Sequence, residues 1–361
     1  MKTYVVETAN LSHNIELLKR KTGKAQIWAV VKGNGYGLGL VPLAQRLSEH
    51  GINHFCVTEV REAELLRENG FDSAQILMLR SAENAEEINR LIDLRVILTV
   101  GSAEMAALVN EIAAQRADVA EVHVKIDTGM GRFGFLPDDV EGILRLYREE
   151  KHIAISGIYT HFDCAFNNEK RTRAEYDAFM KTVHAVRAAG FETGMVHCCN
   201  SSAFLRFPEM HCDAVRLGSA ILGRMAFQTA LRPVGYAEAE IDAVRVLPKG
   251  HTTGYDAVWT AKKDTKIAII PIGWYNGFGV HVSSGVTRFR DCVSLILSGL
   301  RGMLRRRHLT VEINGVRCKV VGQLGLLHAA VDVTGVECRA GDRAIVAINP
   351  LFAKGMRIQY R

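Results

Sequence analysis

His54-Phe55-Cys56-Val57-Thr58-Glu59-Val60-Arg61-Glu62-Ala63-Glu64-Leu65-Leu66-Arg67-Glu68 is a short apolar run followed at once by a segment with helical periodicity. The run His54–Thr58 is rich in β-formers and does not alternate, which suits a strand buried on both faces. From Val60 onward the apolar residues fall on one stripe and Arg–Glu pairs on the other, as in a helix with one buried face. The unit recurs. Apolar runs stand at Ile27–Lys32, Gln75–Leu79, Val96–Val100, Glu121–Ile126, Ile155–Thr160, Met195–Cys199 and Ala214–Leu217. Helical segments stand at Ser102–Gln115, Asp138–Glu150 and Arg171–Ala189. Strand–helix alternation at this frequency predicts an α/β protein built on a parallel (β/α)8 TIM-type barrel. An open doubly wound sheet is the alternative, but no G-x-G-x-x-G follows the first strand.

After about residue 230 the texture changes. Ala239–Val246, Thr265–Pro271, Leu309–Ile313, Arg317–Val321, Ala330–Val333 and Arg343–Ile348 read as strands. Turn signals such as Asn314-Gly315 and Ala340-Gly341-Asp342 separate them, and the one competing helical segment is Asp291–Arg307. The expected organisation is a barrel over residues 8–230 and a mainly β C-terminal domain over 231–361, joined by an N-terminal strand at 1–7. The length of 361 residues leaves room for both.

Composition narrows the function classes. With 48% hydrophobic and 23% charged residues the chain has enough apolar surface to fold, which excludes disorder for its bulk. A net charge of +6 is small for this size and demands neither a nucleic acid nor a membrane partner. The densest basic run, Arg301-Gly302-Met303-Leu304-Arg305-Arg306-Arg307-His308, has no interleaved aromatics and reads as a solvated helix end. Eight scattered cysteines without a C-x-x-C pair predict buried reduced thiols and no metal site. No run of about 18 apolar residues occurs, and Met1–Glu7 lacks the apolar stretch of a signal peptide, so a cytoplasmic protein is expected.

In a barrel, chemistry sits at the C-terminal ends of the strands. The first strand runs into Val31-Lys32-Gly33-Asn34-Gly35-Tyr36-Gly37. A lysine closing an apolar strand has its charge disfavoured by burial, the condition for a Schiff-base lysine. The glycines let the backbone and Tyr36 approach a ligand closely. Further strand ends supply Lys125-Ile126-Asp127-Thr128-Gly129-Met130-Gly131-Arg132, Thr160-His161-Phe162, His197-Cys198-Cys199-Asn200-Ser201 and Arg216-Leu217-Gly218-Ser219. Each alone has an ordinary structural reading. Together they place cationic and polar groups on one face.

These motifs resemble the fold-type III alanine racemases, and the resemblance spans nearly the whole chain. It rests on Val30-Val31-Lys32-Gly33-Asn34-Gly35-Tyr36-Gly37, Asp127 to Gly134, Thr160-His161-Phe162, His197-x-x-Asn200-Ser201, Arg216-x-Gly218 and Thr253-Gly254-Tyr255. It implies a pyridoxal 5′-phosphate cofactor carried by Lys32, and a second catalytic base, Tyr255, reaching in from the partner of a head-to-tail homodimer. It also implies that His161 tunes that tyrosine, Arg216 faces the pyridine nitrogen and His197 steadies Arg216. Tyr36, Asn200, Ser201, Gly218 and Ser219 would hold the cofactor. Arg132 would pair with the substrate carboxylate beside Lys125, the position of a lysine often carbamylated in the family. Two bases follow from the chemistry, because a racemase must take the α-proton from one face and return it to the other.

The substrate side departs from the family. Gly273-Trp274-Tyr275-Asn276-Gly277 stands where an aspartate-bearing motif is usual, and Gly322-Gln323-Leu324-Gly325-Leu326-Leu327 where an arginine and a Met-Asp pair are usual. Asn349 falls where a tyrosine normally walls the alanine pocket, as in serine racemase domains, and Leu326 lies with it on the substrate side. The segment Val282–Arg307 is extra. The expectation is a racemase of alanine, serine or both. The alternatives are a racemase specialised for another amino acid, a decarboxylase on the same scaffold, and a non-catalytic cofactor-binding regulator.

Overall fold

The computed structural model describes residues 2–281, 289–304 and 308–361. The chain forms two compact units, Thr8–Val234 and Met1–Glu7 with Gly235–Arg361. The opening strand β1 (Lys2–Val6) belongs to the second of these.

In Thr8–Val234 the strands are β2 (Gln26–Val30), β3 (His54–Val57), β4 (Gln75–Met78), β5 (Leu98–Val100), β6 (Ala120–Lys125), β7 (Ile153–Tyr159), β8 (Met195–His197) and β9 (Ala214–Leu217). They form one eight-stranded sheet in the order β4-β3-β2-β9-β8-β7-β6-β5. The pairings are parallel. A parallel bridge between Leu77 and Ile97 brings the two end strands together, with Met78 N–H donating to the Ile97 carbonyl at 2.9 Å. The sheet is thus a barrel, as the alternation of the sequence required. Trp28, Val30, Cys56, Leu77, Ile97 and Ala214 form a buried cluster among its strands.

The helices are α1 (Thr8–Thr22), α2 (Lys32–Tyr36), α3 (Leu40–Glu49), α4 (Val60–Glu68), α5 (Ala85–Asp93), α6 (Ala103–Gln115), α7 (Val140–Glu149), α8 (Glu169–Ala188) and α9 (Ser201–Arg206). Their starts follow capping chemistry. Glu59 and Glu62 form a capping box at α4, and the side chains of Ser102, Asp139 and Asn168 accept amide protons at the starts of α6, α7 and α8. The buried faces are those the periodicity predicts, for example Ala106, Val109, Ile112 and Ala113 on α6.

The element α2 is unusual. Gly33, Asn34, Gly35, Tyr36 and Gly37 have φ of 63°, 54°, 64°, 54° and 84°, so the chain winds left-handed for one turn beyond β2. Only glycine adopts that conformation without strain, and Asn tolerates it best among the others. Asn34 is further held by its Oδ1, which accepts the Leu40 amide at 2.9 Å.

In the second unit are β10 (Gly235–Glu240), β11 (Ala243–Leu247), β12 (Thr265–Ile270), the helix α10 (Phe289–Leu304), β13 (Thr310–Ile313), β14 (Val316–Val321), β15 (Ala329–Asp332), β16 (Arg343–Val346) and β17 (Arg357–Tyr360). They form a nine-stranded sheet in the order β11-β12-β15-β14-β13-β16-β10-β1-β17. The single strand expected at Ala239–Val246 is two strands, because the chain changes neighbours at Ile241-Asp242. β10 pairs with β1 and β16, and β11 with β12. Asn314 and Gly315, at φ 50° and 77°, make the tight β13–β14 turn. The helix expected at Asp291–Arg307 begins at Phe289 and runs to Leu304 among the described residues; residues 305–307 lie outside them. The extra segment Val282–Arg307 and the basic run from Arg301 lie partly outside the described residues.

Gly35→Ala tests the left-handed turn. A Cβ there would stand 3.2 Å from the Leu40 nitrogen and 3.3 Å from Leu43 Cδ2, at a φ of +64°. The expected cost is ~1–2 kcal/mol from backbone strain alone, read as a lower midpoint in urea unfolding.

Candidate active site

A cavity of about 240 Å³ opens at the C-terminal end of the barrel strands. Lys32, Tyr36, His161, Asn200, Ser201, Arg216, Gly218 and Ser219 line it, together with Val30, Leu79 and Ser202. Residues at or beyond the ends of five strands, β2, β4, β7, β8 and β9, therefore meet at one place. Two larger hollows, of about 570 and 550 Å³, lie at the N-terminal end of β6 and between α4 and α5. Ion-paired surface groups such as Arg116–Asp93 and Arg90–Glu64 line them.

Lys32 is half-buried at the start of the left-handed turn. Burial lowers its pKa first, and Arg132 adds to the effect, while Glu62 opposes it. Tyr36, four residues on, is pushed up to about 12 by burial. Its hydroxyl lies so close to Gly218 that a Cβ there would stand 2.5 Å from it, so only glycine fits at the end of β9.

Arg216 is 2% exposed. Its Nη1 donates to His197 Nδ1 at 2.6 Å and to the His197 carbonyl at 3.2 Å. Its Nη2 donates to the carbonyls of Thr160 at 2.6 Å and Cys198 at 3.4 Å. Among the described hydrogen bonds none engages its Nε–H. The guanidinium also lies over the Tyr159 ring, 4.9 Å from its centre. His197 is fully buried behind Arg216 and does not line the cavity. His161 lines it, and its pKa is held well below the usual imidazole range by burial and then by Arg216.

Ser201 Oγ accepts the amides of Gly218 at 3.1 Å and Ala220 at 3.2 Å, which leaves its own proton for a ligand. Asn200 works through structure. Its Oδ1 caps α9 by accepting from Ser202 and Ala203, and its Nδ2 donates to the Phe162 carbonyl, so it positions Ser201.

The Asp127 loop stands beside the cavity. Its carboxylate accepts the amides of Gly129, Gly131 and Arg132, each at 3.1 Å. Burial raises the pKa of Asp127, and these amide bonds outweigh it. Gly134 is required, because a Cβ there would stand 2.8 Å from the Asp127 nitrogen. Arg132 is exposed at the loop. Lys125 is 3% exposed, with Nζ 3.9 Å from the centre of the Phe133 ring. Burial, then Arg216 and Arg132, lower it to about 7.

Among the described residues, Asp163, Cys164 and Glu175 are the one grouping with metal-ligand chemistry. Arg171 pairs with both carboxylates, at 2.5 and 3.2 Å.

Tyr255, Leu326 and Asn349 lie in the second unit. Tyr255 is 75% exposed on a strained loop, with Gly254, Asp256 and Ala257 at φ 80°, 62° and 48°. That loop packs against Gln323, whose nitrogen would stand 2.7 Å from a Cβ at Gly254. Tyr275 N–H donates to the Leu326 carbonyl at 3.0 Å, and Asn276 Nδ2 to the Lys354 carbonyl at 2.9 Å. Tyr255, Val258, Trp274, Tyr275, Leu326 and Leu351 are all exposed. Asn349 caps a short 3-10 turn, its Oδ1 accepting the Leu351 amide at 3.2 Å. The capping roles of Asn200 and Asn349 are signalled by the serine-rich helix start and the following proline, and His123, taken up below, had no local signal.

The family model of the alanine racemase N-terminal domain matches residues 6–225, and that of the C-terminal domain matches residues 234–351. An alanine racemase of Desulforamulus reducens is 34% identical over 284 residues, 76% of this chain and 76% of that one. One of Methanococcus maripaludis is 31% identical over 306 residues, 82% of this chain and 79% of that one. The solved alanine racemase from D-cycloserine-producing Streptomyces lavendulae superposes with a TM-score of 0.86 over 100% of this chain and 97% of its own, at 22% identity, a likeness of fold.

Lys125 gives a signed pH test. A folded-state pKa near 7, below the usual lysine value of 10.5, means that the folded protein disfavours the charged form. Its penalty is full below pH 7 and shrinks as the pH rises toward 10.5. Lys125→Met is expected to raise the melting temperature more at pH 6 than at pH 9, measured without cofactor in carbon-dioxide-free buffer.

Proposed function

The chain belongs to the alanine racemase family of isomerases, and on that premise we propose that it is a pyridoxal 5′-phosphate-dependent racemase acting on alanine and accepting serine. The observation that carries the reading is Lys32: a half-buried amine with a lowered pKa, opening on a cavity with Tyr36, Ser201 and Arg216 and no carboxylate among its lining residues.

The donor set fits the cofactor. The hydroxyls of Tyr36 and Ser201 and the Ser219 amide suit a phosphate dianion. The Arg216 Nε–H suits a ring nitrogen, and the lowered pKa of Lys32 favours the neutral amine that an aldehyde needs. When bound, the group supplies an electron sink for the α-carbon of an amino acid. Arg216 keeps its proton at neutral pH, so it can donate a hydrogen bond without protonating the ring. Held by a donor that keeps its proton, the group would be a weaker sink, and Arg216 would thereby favour return of the proton to the α-carbon over side reactions.

Lys32 Nζ serves as the base on one face, and the partner subunit's Tyr255 as the base on the other. The exposed aromatic face around Tyr255 supports a homodimer, since large exposed apolar patches mark interaction surfaces. Arg132, presented by the Asp127 loop, pairs with the substrate carboxylate. The neutral amine of Lys125 near pH 7 supports its carbamylation beside Arg132. Among the described residues no helix is long and apolar enough to cross a membrane. A cytoplasmic site of action belongs to the same reading.

Acceptance of serine rests on Asn349. With Oδ1 engaged by Leu351, its NH2 group remains as a donor for a hydroxyl. A satisfied hydroxyl discriminates more strongly than a methylene, which is worth only about 1–3 kcal/mol.

A panel of L-amino acids, scored for D-product by chiral chromatography, is expected to show turnover of alanine and serine. Asn349→Tyr should lower serine turnover at least tenfold relative to alanine; an unchanged ratio removes Asn349 from the pocket. Tyr255→Phe should abolish racemisation in both directions, because the equilibrium constant between enantiomers is one. In deuterated water it should still allow α-proton exchange from one enantiomer. Loss of exchange from both would contradict a one-face role.

A further inference from the structure

We propose that His123, on β6, is a positioning residue of the site: its Nδ1 accepts the Nε2–H of His197 and so keeps His197 Nδ1 as the acceptor for Arg216. The inference deepens the reading above, in which Arg216 faces the cofactor ring.

The proton placement follows from one fixed point. A guanidinium only donates. Arg216 Nη1 stands 2.6 Å from His197 Nδ1, so that nitrogen offers its lone pair and the His197 proton is on Nε2. The ring is fully buried, so Nε2–H needs an acceptor. His123 Nδ1, at 2.9 Å, is that acceptor, which places the His123 proton on its own Nε2. Reversing either tautomer sets a donor against a donor somewhere along Arg216–His197–His123.

The barrel is shaped around this pair. Along β6 and β7 the register slips between Val122 and His123: Val122 faces Ile155, His123 faces Gly157, and Ser156 is the extra residue of a bulge. At Gly157 a Cβ would stand 2.6 Å from His123 Nε2, so the bulge and the glycine together make the space for the second imidazole. His197 is sandwiched between near-parallel rings, Tyr159 at 4.9 Å and Trp28 at 6.4 Å. Stacking fixes the plane of the His197 ring but leaves its tautomer open; Arg216 at Nδ1 and His123 at Nε2 select it together. Both imidazoles are kept neutral: burial, then Arg216, pushes His123 down to about 3, and the same causes hold His197 well below its ordinary value.

The test reads tautomers directly. In the cofactor-free protein labelled with 15N-histidine, long-range 15N–1H correlations should show Nε2–H for both His123 and His197. His123→Leu removes the acceptor and should shift His197 to a mixture or to Nδ1–H, whereas His123→Asn, whose Oδ1 stands where Nδ1 was, should restore Nε2–H. In the loaded enzyme His123→Leu should lower kcat about tenfold with KM for alanine unchanged, and Asn should recover most of it. An Nδ1–H tautomer of His197 in the wild type overturns the proposal even if His123→Leu fails to fold. An unchanged His197 tautomer in a folded His123→Leu also overturns it, leaving His123 as packing. If the tautomers are as stated and the loaded protein racemises nothing, the reading of function fails while the tautomer lock on Arg216 stands.

Discussion

A buried guanidinium without a carboxylate partner organises the barrel. Arg216 is 2% exposed and always charged, and its described partners are three carbonyls and one imidazole. Isolated charge is costly in a protein interior, so those dipoles must be held in place and the remaining field must be met by an anion. The field reaches beyond its hydrogen-bond partners. It contributes to the lowered pKa of Lys125, His161, His197 and His123, with burial the larger cause in each. A site with that potential is prepared for a dianion and a carboxylate, and on our reading these are the phosphate of the cofactor and the substrate.

The left-handed turn is the second constraint. A strand that continued straight past Val30 would carry Lys32 and Tyr36 away along one line. The turn from Gly33 to Gly37 folds the chain back within a few residues, so that Lys32 and Tyr36 both line the cavity. Glycine at three of its positions makes this possible, while Asn34 and Tyr36 bear the strain. Strain of that kind persists only where the surroundings over-determine it. Here the Tyr36 hydroxyl is seated against Gly218 from a different strand.

Much of this was legible in the sequence because it is encoded by near neighbours. Strand runs and helix stripes are patterns over a handful of residues, and all eight barrel strands begin within two residues of the apolar runs that announce them. The first of them ends at Val30 because Gly33 and Gly35 let the chain turn left-handed. The second unit was harder. Ala239–Val246 is continuous in β-character, yet it divides because Ile241 and Asp242 donate to Asp342 and Ile269, residues distant in sequence. β17, at Arg357–Tyr360, is a short alternating strand at a sheet edge and exists because β1 is there to pair with it.

By itself the sequence determined the barrel, the mainly β unit and the motifs that carry the family, since local periodicity and turn chemistry depend on adjacent residues. Tertiary structure decided which polar atoms face each other. It set Ser201 Oγ beneath the amides of Gly218 and Ala220. It also joined His123 to His197 across 74 residues. A hydrogen bond needs its partner within about 3 Å and in line. No pattern along the chain encodes that distance, so the proton arrangement behind Arg216 became visible only once the strands had closed into a ring.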